Sequence, residues 1–116
     1  MIRESHIDVK IFETDIPLTF SDLTIFPQRR QVFYGSKEVI LAPLQFNVLL
    51  YLAQQPGRVF NYQQIFEAAW SEDPENIENA VMCVIYSLRK KLRQHTDHEY
   101  ICTVHGVGYK FMKEPY

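Results

Sequence analysis

Apolar residues in this chain follow two different periods, and the switch between them divides it. Over residues 7–12, Ile7, Val9 and Ile11 alternate with Asp8 and Lys10, the period-2 signature of a short strand. Pro17 interrupts, and the alternation resumes at Leu23-Thr24-Ile25 before stopping at Pro27. Gln31-Val32-Phe33-Tyr34 and Glu38-Val39-Ile40-Leu41 then flank Gly35-Ser36-Lys37. Two β-rich runs around a glycine turn predict a hairpin. The first third of the chain therefore reads as a small antiparallel sheet.

At Pro43 the period becomes helical. Leu44, Val48, Leu49, Tyr51 and Leu52 keep that spacing, with Phe46 and Leu50 widening the apolar face. Proline suits the first position of a helix, and Gln55-Pro56-Gly57 ends it. Asn61 has the character of an N-cap for a second helix carrying Ile65, Phe66, Ala69 and Trp70. The acidic stretch 71–76 contains Pro74 and reads as a loop. A third helix is predicted from about residue 77 to residue 94, with Ile77, Val81, Val84, Ile85, Leu88 and Leu92 on one side. Its other side carries Asn79, Cys83, Tyr86 and Lys90, flanked by Arg93. The chain closes with Tyr100-Ile101-Cys102-Thr103-Val104, the turn His105-Gly106-Val107-Gly108 and then Tyr109-Lys110-Phe111-Met112, a second hairpin. The order is sheet, three helices, hairpin, an α+β arrangement.

Composition narrows this further. A chain of 116 residues, 47% apolar, is one domain with enough material to close a single core. Seven Tyr, eight Phe and one Trp exclude a disordered segment. The longest strongly apolar run, residues 48–53, is too short to span a bilayer, so no membrane partner is expected. The polar start Met1-Ile2-Arg3-Glu4-Ser5-His6 lacks an export signal, and the expected location is cytoplasmic. Two cysteines, Cys83 and Cys102, cannot build a disulfide framework and are read as thiols. The net charge of −2 argues globally against nucleic acid, but the charges are segregated. Residues 67–78 hold Glu67, Glu72, Asp73, Glu75 and Glu78 without a base, whereas residues 86–94 hold Arg89, Lys90, Lys91 and Arg93 without an acid. Clustering, more than the total, speaks to partners.

The third helix is the strongest carrier of chemistry. A helix fits the major groove of B-form DNA, where exposed side chains reach base edges and flanking cations meet phosphates. The second and third helices form a helix-turn-helix-like pair whose later member reads, and the hairpin after it can reach a neighbouring groove. A basic helix C-terminus also suits the macrodipole, so Arg89, Lys90, Lys91 and Arg93 are equally compatible with a merely solvated end. Gly106-Val107-Gly108 lacks both the third glycine and the strand-to-helix setting of a dinucleotide loop and reads as a turn. His95 and His98, beside Asp97 and Glu99, have no Cys pair to complete a zinc spacing and read as surface residues. Cys83 with His105 is no nucleophilic site on residue types alone, and Glu72, Asp73 and Glu75 lie in a polar loop without a pocket. No catalytic constellation or cofactor site emerges, and an enzyme is not expected. Trp70, Phe46, Phe66 and Tyr109 are simplest as core.

Several motifs in register resemble the winged-helix effector domain of OmpR/PhoB-type response regulators. Leu41-Ala42-Pro43-Leu44-Gln45-Phe46, Gln55-Pro56-Gly57-Arg58-Val59-Phe60 and Ala69-Trp70 are similar to its first two helices. Ala80-Val81-Met82, Ile85 and Leu88-Arg89-Lys90-Lys91-Leu92 are similar to its recognition helix, and Tyr100-Ile101, Thr103-Val104 and Gly106-Val107-Gly108-Tyr109-Lys110-Phe111 to its wing. The resemblance implies an α+β winged helix-turn-helix with a four-stranded antiparallel N-terminal sheet, three-helix core and C-terminal β-hairpin wing over residues 20–113. Residues 1–19 are then an extension or linker, too few for a phosphoacceptor domain. It also implies transcriptional regulation within a two-component system, with double-stranded DNA as partner and a homodimer on direct repeats. The DNA-facing positions carried over are Asn79, Cys83, Tyr86, Ser87, Arg89, Lys90 and Arg93 on the helix, with Thr103, His105, Tyr109 and Lys110 on the wing. Loop 71–76 corresponds to the segment that contacts RNA polymerase in some members.

The chain departs from the family pattern at informative places. Arginine is frequent in the family where Tyr86, Ser87 and His105 stand here. Ala42 replaces the usual threonine cap, and Gln45 replaces an acid. Losing the cap is expected to weaken the start of the first helix by about 1 kcal/mol. Losing arginines removes phosphate affinity and bidentate guanine contacts, although Tyr86 and Ser87 retain polar reach and Cys83 can pack a thymine methyl. Weaker or more cooperative binding to a different site is the expectation. The alternative is a winged-helix protein-interaction module whose DNA binding is weak or lost.

Overall fold

The computed structural model describes residues 15–114. The alternating segment 7–12 and most of the extension 1–19 lie outside the described residues. Four short strands, β1 (Leu18–Phe20), β2 (Leu23–Phe26), β3 (Gln31–Tyr34) and β4 (Lys37–Val39), form an antiparallel meander in sequence order. Leu18 and Thr19 pair with Ile25 and Thr24, so the sheet begins two residues before residue 20. The alternation seen in the sequence sets the register. Leu23, Ile25, Val32 and Val39 share the inner face and are all buried, and Phe20 joins them.

Three helices pack beneath this sheet: α1 (Pro43–Ala53), α2 (Tyr62–Ala69) and α3 (Ile77–Arg93). Each start has a local cause. At α2, Asn61 Oδ1 accepts the Gln64 N–H at 2.8 Å while Gln64 Oε1 accepts the Asn61 N–H at 2.9 Å, a reciprocal cap. At α3, Asn76 Oδ1 accepts the Asn79 N–H, Glu78 occupies the first turn, and Lys90, Lys91 and Arg93 occupy the last. At α1, Ala42 offers no side-chain acceptor, but Gln45 Oε1 accepts the Ala42 N–H at 2.8 Å. The lost threonine cap is therefore partly offset from inside the first turn. Gln45 Nε2 also donates to Ser87 Oγ on α3 at 3.0 Å, and Ser87 Oγ donates to the Val84 carbonyl. Two departures from the family pattern thus meet as one hydrogen-bonded pair between α1 and α3.

The last strands, β6 (Ile101–Val104) and β7 (Gly108–Phe111), form the expected hairpin. A two-residue strand, β5 (Phe60–Asn61), adds to the β7 edge and makes the order β5-β7-β6. The sequence reading did not anticipate β5, which depends on a backbone approach rather than on side-chain period. A Cβ on Gly108 would stand 1.9 Å from the Phe60 carbonyl oxygen, so only glycine lets these strands meet. Gly106, in the turn, has a φ of +79°, which a side chain would strain.

One core joins the layers. Val48, Leu49, Leu52, Ile65, Val81, Ile85 and Leu88 fill the helical part, and Phe60, Tyr100 and Phe111 connect it to the hairpin. The Phe111 ring lies 4.6 Å from that of Phe20 and 5.7 Å from that of Tyr100, while the Tyr100 hydroxyl donates to the Phe20 carbonyl at 3.2 Å. The hairpin base is thereby tied to the N-terminal sheet. Trp70, expected in the core, is half-buried and packs on its edge beside Phe66. No helix among the described residues is long and apolar enough to cross a membrane.

Replacing Gly108 with alanine is expected to lower unfolding stability by about 1–3 kcal/mol, because the Phe60 carbonyl must move. Urea denaturation of the variant checks this, and an unchanged midpoint would contradict the close approach.

Candidate nucleic-acid interface

Helix α3 buries Val81, Ile85, Leu88 and Leu92 and keeps Ile77 and Val84 half-buried. Its opposite side is bare. Asn79, Cys83, Tyr86 and Lys90 are all exposed there, with Tyr86 at 66%. Met82 joins them at 46% exposure, a position the sequence reading quoted but did not single out. Its spacing, three residues after Asn79 and four before Tyr86, was the available signal. The hairpin, joined to α3 through Arg89, exposes His105, Gly106 and Val107 at its turn, the last at 49%. Val107 is the second residue the sequence reading missed, and its place between two glycines marks it as the turn's only large side chain after His105.

Several sequence-derived candidates point elsewhere. Tyr109, read from the residues as core but carried over from the family as DNA-facing, is buried at 5% exposure, with its ring 5.8 Å from that of Tyr62 at right angles. Strand alternation explains this, because Tyr109 and Phe111 share a face and that face packs inward. Burial, reinforced by a hydrogen bond with Tyr62, pushes the Tyr109 hydroxyl up to about 12 against the opposing charge of Arg89. Ser87 turns toward α1 as described, so its hydroxyl is engaged with Gln45 and the Val84 carbonyl.

Arg89 reaches across to the hairpin. One terminal nitrogen, Nη2, donates to the Ile101 carbonyl at 2.9 Å and to Thr103 Oγ1 at 2.8 Å. The guanidinium carbon sits 5.7 Å from the Tyr109 ring centre, and Nε is buried without a hydrogen-bond partner among the described residues. Arg89 and Thr103, both expected to face DNA, thus bind each other and fix the hairpin against the helix. Arg93 donates through Nε and Nη2 to both oxygens of Glu99, at 2.9 and 3.0 Å. That bidentate contact raises the arginine further above its usual value. Lys91 reaches the Ile40 carbonyl at 3.3 Å. Lys110 is half-buried and pairs across the hairpin with Cys102, on the strand face opposite Thr103 and Tyr109. Lys90 is therefore the α3 cation without a protein partner among the described residues.

Loop 71–76 forms the α2–α3 connection. Trp70, Leu44 and residues 71–74 line a shallow groove there. The end of α2 before the loop is tied to α1 by Asn47 Nδ2, which donates to the Ala69 carbonyl at 3.1 Å while Asn47 Oδ1 accepts from Arg30 at 2.8 Å. Among the described residues, no group of three or more His, Cys, Asp or Glu is arranged to hold a metal ion.

A bare helix face beside a projecting hairpin turn, on a three-helix core capped by an N-terminal sheet, defines a winged helix-turn-helix of the DNA-binding type. Residues 36–111 match the family described as transcriptional regulatory protein, C terminal, and the chain belongs to that family. It is 37% identical over 92 residues to YkoG of Bacillus subtilis, an uncharacterized transcriptional regulatory protein, covering 79% of this chain and 40% of that one. The RstA DNA-binding domain of Klebsiella pneumoniae, crystallised in complex with the RstA box, superimposes with a TM-score of 0.74 at 29% identity, covering 84% of this chain and 98% of that domain. The Thermotoga maritima response regulator DrrB, an OmpR/PhoB homologue, gives 0.73 at 34% identity, covering 83% and 44%. The chain thus spans about 40% of the length of relatives such as YkoG.

Tyr100 is likewise pushed up to about 12, first by burial and then by the nearby Tyr34 and Asp22. Both phenols hold their protons more tightly in the folded chain than in the unfolded one. The stability they contribute is complete below about pH 10 and is lost as pH rises toward 12, by on the order of 1–2 kcal/mol each. A Tyr109→Phe variant should therefore lose less stability than the parent between pH 10 and 12 in urea titrations. Identical losses would place the Tyr109 hydroxyl in solvent.

Proposed function

We propose that this chain is the DNA-reading part of a bacterial transcriptional regulator, with α3 entering the major groove and the hairpin turn meeting the adjacent minor groove. The observation that carries this reading is the bare α3 face, on a helix that Arg89 ties to the hairpin. The RstA domain, crystallised with its DNA box, shares this fold. In this reading Asn79, Met82, Cys83 and Tyr86 address base edges, while Lys90 and His105 address phosphates and the groove floor. Ser87, Arg89, Thr103 and Tyr109 act behind that surface by fixing the helix and hairpin. Arg93 lies exposed at the rim, where leaving its half-buried Glu99 partner costs about 0–1 kcal/mol.

The wider assignments follow from the relatives. Named response regulators such as MprA support an effector role within a two-component system, and hence a cytoplasmic protein. Loop 71–76, with its groove beside Trp70, is the proposed contact for RNA polymerase, and two copies on direct repeats are the proposed binding unit. A protein-interaction module is the competing reading, favoured by the exposed apolar Met82, Tyr86 and Val107. Salt separates the two readings, because phosphate contacts release counterions whereas apolar contacts do not.

With Lys90 as the main unpaired helix cation, DNA affinity should fall with salt at a logarithmic slope of only about −2 to −4. Lys90→Glu should weaken binding roughly tenfold and flatten that slope by about 1–2, as read by fluorescence anisotropy on duplex DNA. Arg93→Glu should do less. Unchanged binding in Lys90→Glu would move DNA away from this face.

A further inference from the structure

Resting on the proposed DNA-reading role, we infer that the element read by α3 is a run of A·T base pairs, selected by thymine methyl groups and adenine edges rather than by guanine. The commonest specific major-groove contact is a bidentate arginine or lysine on guanine O6 and N7. On α3, Arg89 is bound to the Ile101 carbonyl and Thr103 and is aimed at the hairpin. Arg93 is held by both oxygens of Glu99 and lies on the last turn. Base edges are reached from the N-terminal part of a recognition helix. Lys90 is seven residues beyond Cys83, which sets it toward the backbone at the groove rim. Among the described residues, the N-terminal half of the exposed face therefore presents no cation to a guanine.

What it presents instead is Asn79, Met82, Cys83 and Tyr86, all exposed. Asn79 is exposed, the helix cap uses only its backbone N–H, and its side-chain amide has no hydrogen-bond partner among the described residues. A carboxamide pairs with adenine N6 and N7 through one donor and one acceptor. Met82 and Cys83 follow directly on the same exposed surface. The thymine C5 methyl is the apolar group that the major groove displays, so it is the feature these two side chains can cover without stranding a polar group. The hairpin tip agrees. Val107, 49% exposed, meets a minor groove whose G·C pairs carry the guanine amino donor and whose A·T pairs do not. Narrow A·T minor grooves also concentrate negative potential suited to the neighbouring His105.

The test is selection of the reduced 116-residue chain on a random duplex pool, followed by base-analogue substitution in the enriched site. The expected site has an A·T core at the α3 contact. Replacing its thymines with uracil should weaken binding about three- to fivefold per contacted methyl. Replacing the contacted adenine with 7-deazaadenine, or Asn79 with alanine, should weaken it roughly five- to 100-fold at that single position. An enriched site with an invariant G·C core, or an A·T site indifferent to uracil, overturns this inference and leaves the DNA-reading role intact. Failure of the chain to retain any duplex, at salt low enough for weak phosphate contacts, overturns the DNA-reading role itself.

Discussion

The span of Arg89 from α3 to the hairpin is the contact on which the surface depends. A hairpin tip held only by its own turn would move independently of the helix beside it. Here one guanidinium nitrogen bonds both the Ile101 carbonyl and Thr103 Oγ1, and the cation stands over the inward-facing ring of Tyr109. Two strands of one hairpin and one helix therefore share a single cation. Gly108, pressed against the Phe60 carbonyl, and the Tyr100–Phe20 hydrogen bond hold the base of the same hairpin. The distance between helix face and turn is thus set by protein contacts before any partner arrives, which lowers the ordering cost of binding.

That arrangement has an electrostatic consequence. In sequence, a chain of net charge −2 offers four cations at a basic helix end as candidates for a partner. In the fold Arg89 serves the hairpin, Arg93 serves Glu99 and Lys91 serves the Ile40 carbonyl. Lys90 is left. The surface that remains is polar and apolar rather than strongly positive, so its attraction for nucleic acid rests more on base-edge complementarity than on phosphate charge. The Gln45–Ser87 pair belongs to the same logic. A neutral carboxamide and hydroxyl join α1 to α3 where the family pattern often has an acid and an arginine, and no charge is presented at that position.

Much of this was legible in the sequence because it follows from period. The alternation of Leu23, Ile25 and Val32 marks the sheet face, and the stripe from Val81 to Leu92 marks the buried side of α3, hence also the bare one. Asn61 was recognisable as a cap because its chemistry is local. What escaped depends on contacts between distant residues. The strand β5 exists because Gly108 permits a backbone approach that no period announces. Arg89 has the same composition signal whether it faces solvent or reaches the Ile101 carbonyl. Tyr109 is different, since its two-residue spacing from the apolar Phe111 was enough to place it inward, and the family motif drew attention to its identity instead of its face.

The central claim is that the α3 face and the hairpin turn act as one preformed DNA-reading surface. Nuclear magnetic resonance of the isotope-labelled chain, titrated with duplex DNA, tests this most directly. The amides of Asn79, Met82, Cys83, Tyr86 and Lys90 are expected to shift together with those of His105, Gly106 and Val107, in one binding event. Shifts confined to loop 71–76 or to the outer face of the N-terminal sheet, with the α3 face silent, would contradict it.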